Sequence, residues 1–284
     1  MDNQELKKIK VMAAKIRLDV LELLKHRGYG HMGGSLSIVE LMAVLYEKVL
    51  HIDPKNPKME DRDMLVLSKG HSGPAWYAAL AEKGFFEKEK LLTLNDGGTM
   101  LPSHPDRIKT PGVDMTTGSL GQGTSSAAGI ALGQKMKGSK RFTYLVVGDG
   151  ELNEGQCWEA FMFIAAKKLN NCIVFIDDNK KQLDGYTKDI LNPFDYVKKM
   201  EAFGFFVQKV KGDDVEAIYN AIEKAKQNTE SANCIILDSI KGQGVKYFEE
   251  LMGNHSVKFN NDEINNATDE AIKELKAYIE KEEA

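Results

Sequence analysis

The sequence predicts an α/β fold: a doubly wound, mostly parallel sheet with helices on both faces. Three observations point there. Short β-branched or aromatic runs alternate with helical stretches of roughly ten to fifteen residues, the signature of parallel strands joined by crossover helices. The runs end at Gly, Asp or Ser, residues that mark strand exits. The chain has 284 residues, 42% of them hydrophobic and 28% charged, which is enough for one large α/β domain with a substantial core.

Taken in order, Gln4 to Lys25 places Leu6, Ile9, Ala13, Ile16, Val20, Leu23 and Leu24 at spacings of three and four, which is helical periodicity. A second helix is predicted from an N-cap at Ser35 or Ser37 through Val39, Leu41, Met42, Leu45 and Tyr46 to Val49. Strands are predicted at Met64–Leu67, Phe142–Val147, Cys172–Asp177, Phe205–Val210 and Cys234–Ile240. Between them lie helical stretches near 73–83, 123–137, 154–169, 193–202 and 213–227. From Asn260 onward the sequence reads as a capped amphipathic helix ending in solvated charge. The expected organisation is a single domain over 1–284, with residues 1–50 as a helical lead-in and 262–284 as a C-terminal helix.

The formal charge is −4, which gives no general attraction to nucleic acid or anionic membranes, so an anionic ligand needs a local site. Cys157, Cys172 and Cys234 are too few and scattered for a disulfide framework or a Cys-rich zinc site, and a reducing, cytoplasmic setting fits them. The first ten residues lack the apolar core of a signal peptide, and no run reaches the length of a membrane span.

In such sheets, ligands bind beyond the carboxyl ends of the strands. The most informative segment is FTYLVVGDGELNEGQCWEAFMFIAAKKLNNCIVFIDDNKKQLDG, residues 142–185. One apolar strand runs into Gly148-Asp149-Gly150, and the next ends in Asp177-Asp178-Asn179. A right-handed βαβ unit brings both ends to one sheet edge, placing Asp149 and Asn179 within reach of one ion. A carboxylate and an amide oxygen suit Mg²⁺ or Ca²⁺ rather than zinc, and an incomplete protein shell leaves room for a phosphorylated ligand. Two unconnected turns would account for the same residues.

Gly118, Ser119, Leu120 and Gly121 precede a helix, an arrangement suited to anions or simply to helix capping. Neither a dinucleotide fingerprint nor a P-loop is present, because the glycine order and the Ser-Lys order after Gly138 are wrong. Four of the six histidines, His31, His71, His104 and His255, lie in loops rich in small residues. Together they suggest a pocket where proton carriers meet a polar substrate. No His or Cys spacing supports zinc.

The ordered set GHMGGSLSIVE, DRDMLVLSKGHSGPAWYAAL, SHPD, KTPGVDMTTGSLGQG, GDGELNEGQCWEA and DDNKKQLDG resembles the transketolase family, specifically its N-terminal, diphosphate-binding half in the form of a separate subunit. The resemblance runs from about Lys15 to about Asn261. It implies the thiamine-diphosphate-binding fold and thiamine diphosphate held through Mg²⁺. It also implies transfer of a two-carbon ketol unit from a ketose, such as a sugar phosphate, to an aldose. By the same resemblance, Asp149, Asn179 and the Lys181 carbonyl bind the metal, and Gly150 lies against the diphosphate. His71 and His255 contact the diphosphate side, the Gly118-Ser119-Leu120 turn packs on the cofactor rings, and Glu154 neighbours the pyrimidine. His31 and His104 bind donor hydroxyls and carbonyl, and His255 helps proton transfer. The family's activating glutamate belongs to a second domain, which implies that the partner is a C-terminal transketolase subunit, in a heterotetramer.

Three departures from the family stand out. Met32 follows His31 where Pro is common, and Lys180-Lys181, read here as solvated, replace a Gly-apolar pair. Asn254-His255-Ser256 replaces the usual Trp-His-Gly, which leaves room for an unusual acidic or branched ketose. Half of a 1-deoxyxylulose-5-phosphate synthase or a 2-oxoacid dehydrogenase α-subunit is the nearest alternative, though SKGHSGP and SHPD fit those less well.

Overall fold

The computed structural model describes residues Met1 to Ala284. Helix α1 (Asn3–Arg27) opens with a capping box: Asp2 accepts from the Glu5 N–H, and the Glu5 carboxylate accepts from the Asp2 N–H. Two donors without helical partners are thereby satisfied. The helix stops at Gly28, whose φ of 84° puts it in the left-handed region that glycine enters without steric cost.

Next come β1 (Tyr29–Gly30), α2 (Gly33–Leu36) and α3 (Val39–Val44), which continues as a π-helical turn over Leu45–Val49. The helix expected from an N-cap at Ser35 or Ser37 to Val49 thus begins after Ser37, as α3 and its π-helical continuation, and α2 is a separate turn before it. Ser37 lies in the gap between them. Its hydroxyl donates to the Gly34 carbonyl at 3.1 Å and to Asp177 Oδ2 at 2.7 Å, so it serves a tertiary contact instead of a regular helical surface.

The remaining elements alternate as expected: β2 (Met64–Leu67), α4 (Gly73–Glu82), α5 (Gln122–Met136), β3 (Thr143–Gly148), α6 (Gly155–Ala166) and β4 (Cys172–Asp178). They continue through α7 (Thr187–Ile190), α8 (Tyr196–Ala202), β5 (Phe206–Lys211), α9 (Val215–Gln227) and β6 (Asn233–Asp238). The chain ends with α10 (Lys246–Glu250), β7 (Val257–Lys258) and α11 (Asp262–Glu283). Asn261 caps α11 by accepting from the Ile264 N–H at 3.0 Å, and Ile279 packs on Ala14 and Leu18 of α1.

Five strands form a parallel sheet in the order β2-β3-β4-β6-β5, while β1 and β7 pair antiparallel outside it. Side chains alternate between the two faces along each strand. Tyr144 and Val146 of β3, with Ile173 and Phe175 of β4, join the core shared with α1, α3, α4 and α9. Leu145, Val147, Val174 and Ile176 join the opposite core, beneath α5, α6 and α8. Burial on both faces is why these strands read as unbroken apolar runs. All three cysteines are buried and free. No helix is long and apolar enough to cross a membrane.

Candidate active site

Adjacent strands β3 and β4 end side by side, with Gly148 in register with Asp177. The turn that follows β3 is tied to β4, since the Asp149 N–H donates to the Asp177 carbonyl at 3.1 Å. Asp149 is buried, and its carboxylate accepts from the N–H groups of Gly150 at 2.8 Å and Lys180 at 2.7 Å. The second bond requires Lys180 to adopt φ 71°, the left-handed conformation where glycine is commoner. Burial first, then the charges of Asp177 and Asp178, push the Asp149 carboxyl up to about 7. Asn179 donates its amide to Asp177 Oδ2 at 2.8 Å and accepts from the Lys181 N–H at 3.2 Å.

Behind these groups lies a buried ion pair. Lys69 Nζ meets Asp177 Oδ2 at 2.5 Å and donates to the Gly34 carbonyl at 2.8 Å. The hydroxyls of Ser37 and Ser239 donate to the same carboxylate. Burial opposes the charge of Asp177, yet Lys69 and these hydroxyls hold its pKa below the ordinary carboxylate value. Glu151 plays a comparable role on the other flank. It accepts from the Gly121 N–H at 2.8 Å, from the Gly148 N–H at 3.1 Å and from Ser68, joining the glycine turn to the exit of β3.

The histidines converge from four loops. The β1–β7 pairing draws the His31 and His255 segments together, and the two ring centroids are 5.3 Å apart. His71 lies 4.9 Å from His255 and 5.6 Å from His31, while His104 lies 5.7 Å from His31. Glycine permits the packing: a Cβ on Gly118, at φ 151°, would sit 3.1 Å from the His104 ring. Burial lowers all four histidine pKa values, His71 well below its usual value and His255 to about 3. The charges of Lys69 and Lys241 reinforce the effect on His71 and His255. These are neutral imidazoles at pH 7, each able to donate and accept one hydrogen bond.

One cavity of about 290 Å³ is lined by His31, His71, His104, His255, Gly118, Leu120, Asp149, Gly150, Asn179 and Lys181. Ser119 and Glu154 are solvent-exposed and lie outside that lining. Lys69, Glu151, Gln182, Leu183 and Lys241 also line it, and sequence reasoning did not single them out. Two of the five had a usable signal. Lys69 follows β2 directly within SKGHSGP, and Lys241 follows β6, so both occupy strand exits, where ligands bind. Lys241 Nζ stands 3.1 Å from both the Lys181 carbonyl and His255 Nδ1, and burial pulls its pKa down to about 8.

The reading of Lys180 and Lys181 as solvated is corrected for the second residue and qualified for the first. Lys181 is buried, and its ammonium donates to the Glu249 carbonyl at 2.8 Å, at the end of α10. Lys180 is exposed but paired with Asp178 and with Asp238. An open cleft of about 800 Å³ on that side of β4 is larger than the histidine cavity. Two of its lysines, Lys180 and Lys209, face the Asp178 carboxylate, however, and no histidine reaches it.

No three His, Cys, Asp or Glu side chains come together as a metal site. What the β3 and β4 exits offer is one carboxylate, one amide oxygen and the Lys181 carbonyl. That all-oxygen set fits Mg²⁺ or Ca²⁺ completed by water and a ligand's phosphate oxygens. A divalent cation would also offset the clustered carboxylates around Asp149.

Comparison with known proteins agrees with this geometry. Residues 8–276 match the family described as transketolase, thiamine diphosphate binding domain. The chain is 48% identical over 270 residues to a 6-deoxy-6-sulfo-D-fructose transketolase subunit of Clostridium sp. (strain MSTE9), covering 95% of each chain. It is 40% identical over 263 residues to an apulose-4-phosphate transketolase subunit of Actinobacillus succinogenes, covering 92% of this chain and 94% of that one. Among solved structures, transketolase from Campylobacter jejuni superposes with a TM-score of 0.82 at 31% identity. That match covers 95% of this chain but only 43% of the other, so the chain spans less than half of the longer enzyme.

Proposed function

Because the chain belongs to the transketolase family and carries its thiamine-diphosphate-binding domain, we propose that residues 1–284 act as one cofactor-binding unit of a two-subunit transketolase. The observation that carries this reading is the convergence of four neutral histidines with Asp149 and Asn179 on a single cavity. Asp149, Asn179 and the Lys181 carbonyl would hold Mg²⁺, and Gly150 and His71 would lie against the diphosphate. Gly118 and Leu120 would pack on the cofactor rings, whereas Ser119 and Glu154 lie outside the cavity.

Thiamine diphosphate supplies the electron sink for breaking a carbon–carbon bond beside a carbonyl. This chain's residues orient the donor and carry protons. His31 and His104 hydrogen-bond the donor's carbonyl and hydroxyls. Lys241 donates to His255 Nδ1, which fixes that imidazole with its proton on Nε2, toward the substrate. Several neutral imidazoles in proximity can each take up or give a proton beside the substrate.

The donor we propose is a ketose with a terminal anionic group. The relative at 48% identity is named for 6-deoxy-6-sulfo-D-fructose, which makes a sulfonated ketose the first candidate and a branched ketose phosphate the second. The partner supplies the pyrimidine-binding domain and the activating glutamate, with two copies of each chain, in the cytoplasm.

Coexpression with a C-terminal transketolase subunit, thiamine diphosphate and Mg²⁺ tests the proposal against a donor–acceptor panel. The expected result is an aldose two carbons shorter than the donor, and only when both subunits are present. Full activity from this chain alone would refute the two-subunit reading. Absence of any ketol transfer from the assembled complex would refute the activity.

A further inference from the structure

Beyond the groups that line the cavity, Asn254 is fully buried and sits at a junction of three segments. Its amide donates to the Lys241 carbonyl at 2.8 Å and to the Phe248 carbonyl at 2.6 Å. Its own carbonyl accepts from the Gly33 N–H at 2.8 Å. The three segments so joined carry His31, two residues before Gly33, then Lys241 and, next in sequence, His255. Contact with Gly33 is too close for a side chain. A Cβ there would lie 2.7 Å from the Asn254 carbonyl, 2.9 Å from its Cγ and 2.8 Å from Lys241 Cγ.

The other amide atom makes the role specific. Asn254 Oδ1 is buried without a hydrogen-bond partner, a standing cost that an apolar side chain of similar volume would avoid. Packing alone therefore does not account for asparagine. The directional donors do, because they tie the carbonyl of Lys241, a residue of the cavity, and the Phe248 carbonyl of α10 to one side chain.

We propose that Asn254 is the positioning residue that sets the relative placement of Lys241 and His255 through its side-chain amide, its main-chain bond to Gly33 then carrying that placement to the His31 loop. It acts through these three side chains and touches no reacting atom. Its effect on cofactor affinity rests on the transketolase reading, whereas its effect on side-chain placement does not.

The test uses the full chain labelled with ¹⁵N at histidine, with Asn254→Leu, Asn254→Ser and Gly33→Ala variants. In Asn254→Leu the imidazole signals of His31 and His255 shift while those of His26 and His51 stay in place. Calorimetric affinity for thiamine diphosphate with Mg²⁺ falls about 10- to 100-fold, the range usual when a residue supporting a ligand is lost. Asn254→Ser, which keeps one donor, falls between wild type and Asn254→Leu. Gly33→Ala, pressing on the same contact from the opposite side, moves the same two signals.

Unmoved His31 and His255 signals in a folded Asn254→Leu protein would overturn the proposal, even with a lowered melting temperature. Should that variant fail to fold, unmoved signals in Asn254→Ser and Gly33→Ala overturn it equally. A wild-type chain that binds no thiamine diphosphate even when assembled with its C-terminal subunit would sink the functional reading, yet the imidazole signals would still decide the role of Asn254.

Discussion

Asp177 and Asp178 are consecutive carboxylates at the end of one strand, and they live in opposite surroundings. Alternation along β4 turns Asp177 toward α2 and the histidine loops, where it is fully buried against Lys69, Ser37, Ser239 and Asn179. Asp178 turns to the other face, at the margin of the open cleft. Asp178 is itself largely covered, but its partners there, Lys180 and Lys209, each keep nearly half of the side chain exposed, so that pairing is open to water on the lysine side. The same chemistry thus serves two purposes. Buried, it makes a rigid frame in which each member depends on the others. At the surface, water and salt share the work of neutralising charge, and the pairing contributes little.

The sharpest way to break this contrast is to remove the cation on the buried side. Lys69→Met leaves Asp177 charged and uncompensated in the interior, which should cost about 3–5 kcal/mol of stability, read from urea unfolding. Thiamine diphosphate binding should fall with it, because Asn179 takes its orientation from Asp177. The double variant Lys69→Met/Asp177→Leu should recover part of the stability, since it removes the uncompensated charge but leaves the Ser37, Ser239 and Asn179 donors without their acceptor. Binding should not recover. A loss below about 1 kcal/mol in the single variant would place Lys69 in the same class as the surface lysines.

Removing the proposed metal ligand probes the same frame from the cavity side. Asp149→Ala should abolish the Mg²⁺ dependence of thiamine diphosphate binding while leaving the fold intact, as followed by calorimetry and circular dichroism. Retention of Mg²⁺-dependent binding would exclude Asp149 as a ligand.

A pH profile reaches the histidine side. His71 is held well below its usual pKa by burial, with Lys69, His255 and His31 adding to the effect. As pH falls below about 6.5, the unfolded chain binds a proton at this site and the folded chain does not. Wild type therefore loses stability in that window, and the loss continues until the folded His71 itself titrates. His71→Gln removes that contribution. Whatever its deficit in melting temperature at pH 7.5, the deficit should shrink at pH 5. A constant difference across that interval would mean that His71 titrates normally in the folded protein.

Much of this frame was legible in the sequence, for identifiable reasons. The strands that build the sheet centre are apolar on both faces, so Cys172 to Asp177 and its neighbours announce themselves. The Gly148-Asp149-Gly150 and Asn179 placement followed from the handedness of a βαβ unit, and β3 and β4 do end together. The pattern does not place the Ser37 hydroxyl, because its partner, Asp177, lies 140 residues away. Lys181 reads as solvated because its actual partner is a main-chain carbonyl, at Glu249, and every residue has one. The carbonyls that Asn254 holds are hidden for the same reason. Lys241 is legible, standing three residues past Asp238, the last residue of β6, where ligands of such sheets bind.

The smallest effect belongs to the exposed side of the comparison. Lys180→Gly removes the ion pairs to Asp178 and Asp238, together worth about 0–1 kcal/mol at such exposure. It also relieves a non-glycine residue of φ 71°, a conformation that costs roughly 1–2 kcal/mol. Against that relief stands the greater freedom of glycine in the unfolded chain, about 0.5–1 kcal/mol. These contributions nearly cancel, so stability should stay within about 1 kcal/mol of wild type. The Lys180 N–H that donates to Asp149 survives in glycine, so affinity for thiamine diphosphate with Mg²⁺ should be unchanged. A large loss of affinity with stability intact would show that the Lys180 ammonium, unlike its position at the surface suggests, belongs to the buried frame.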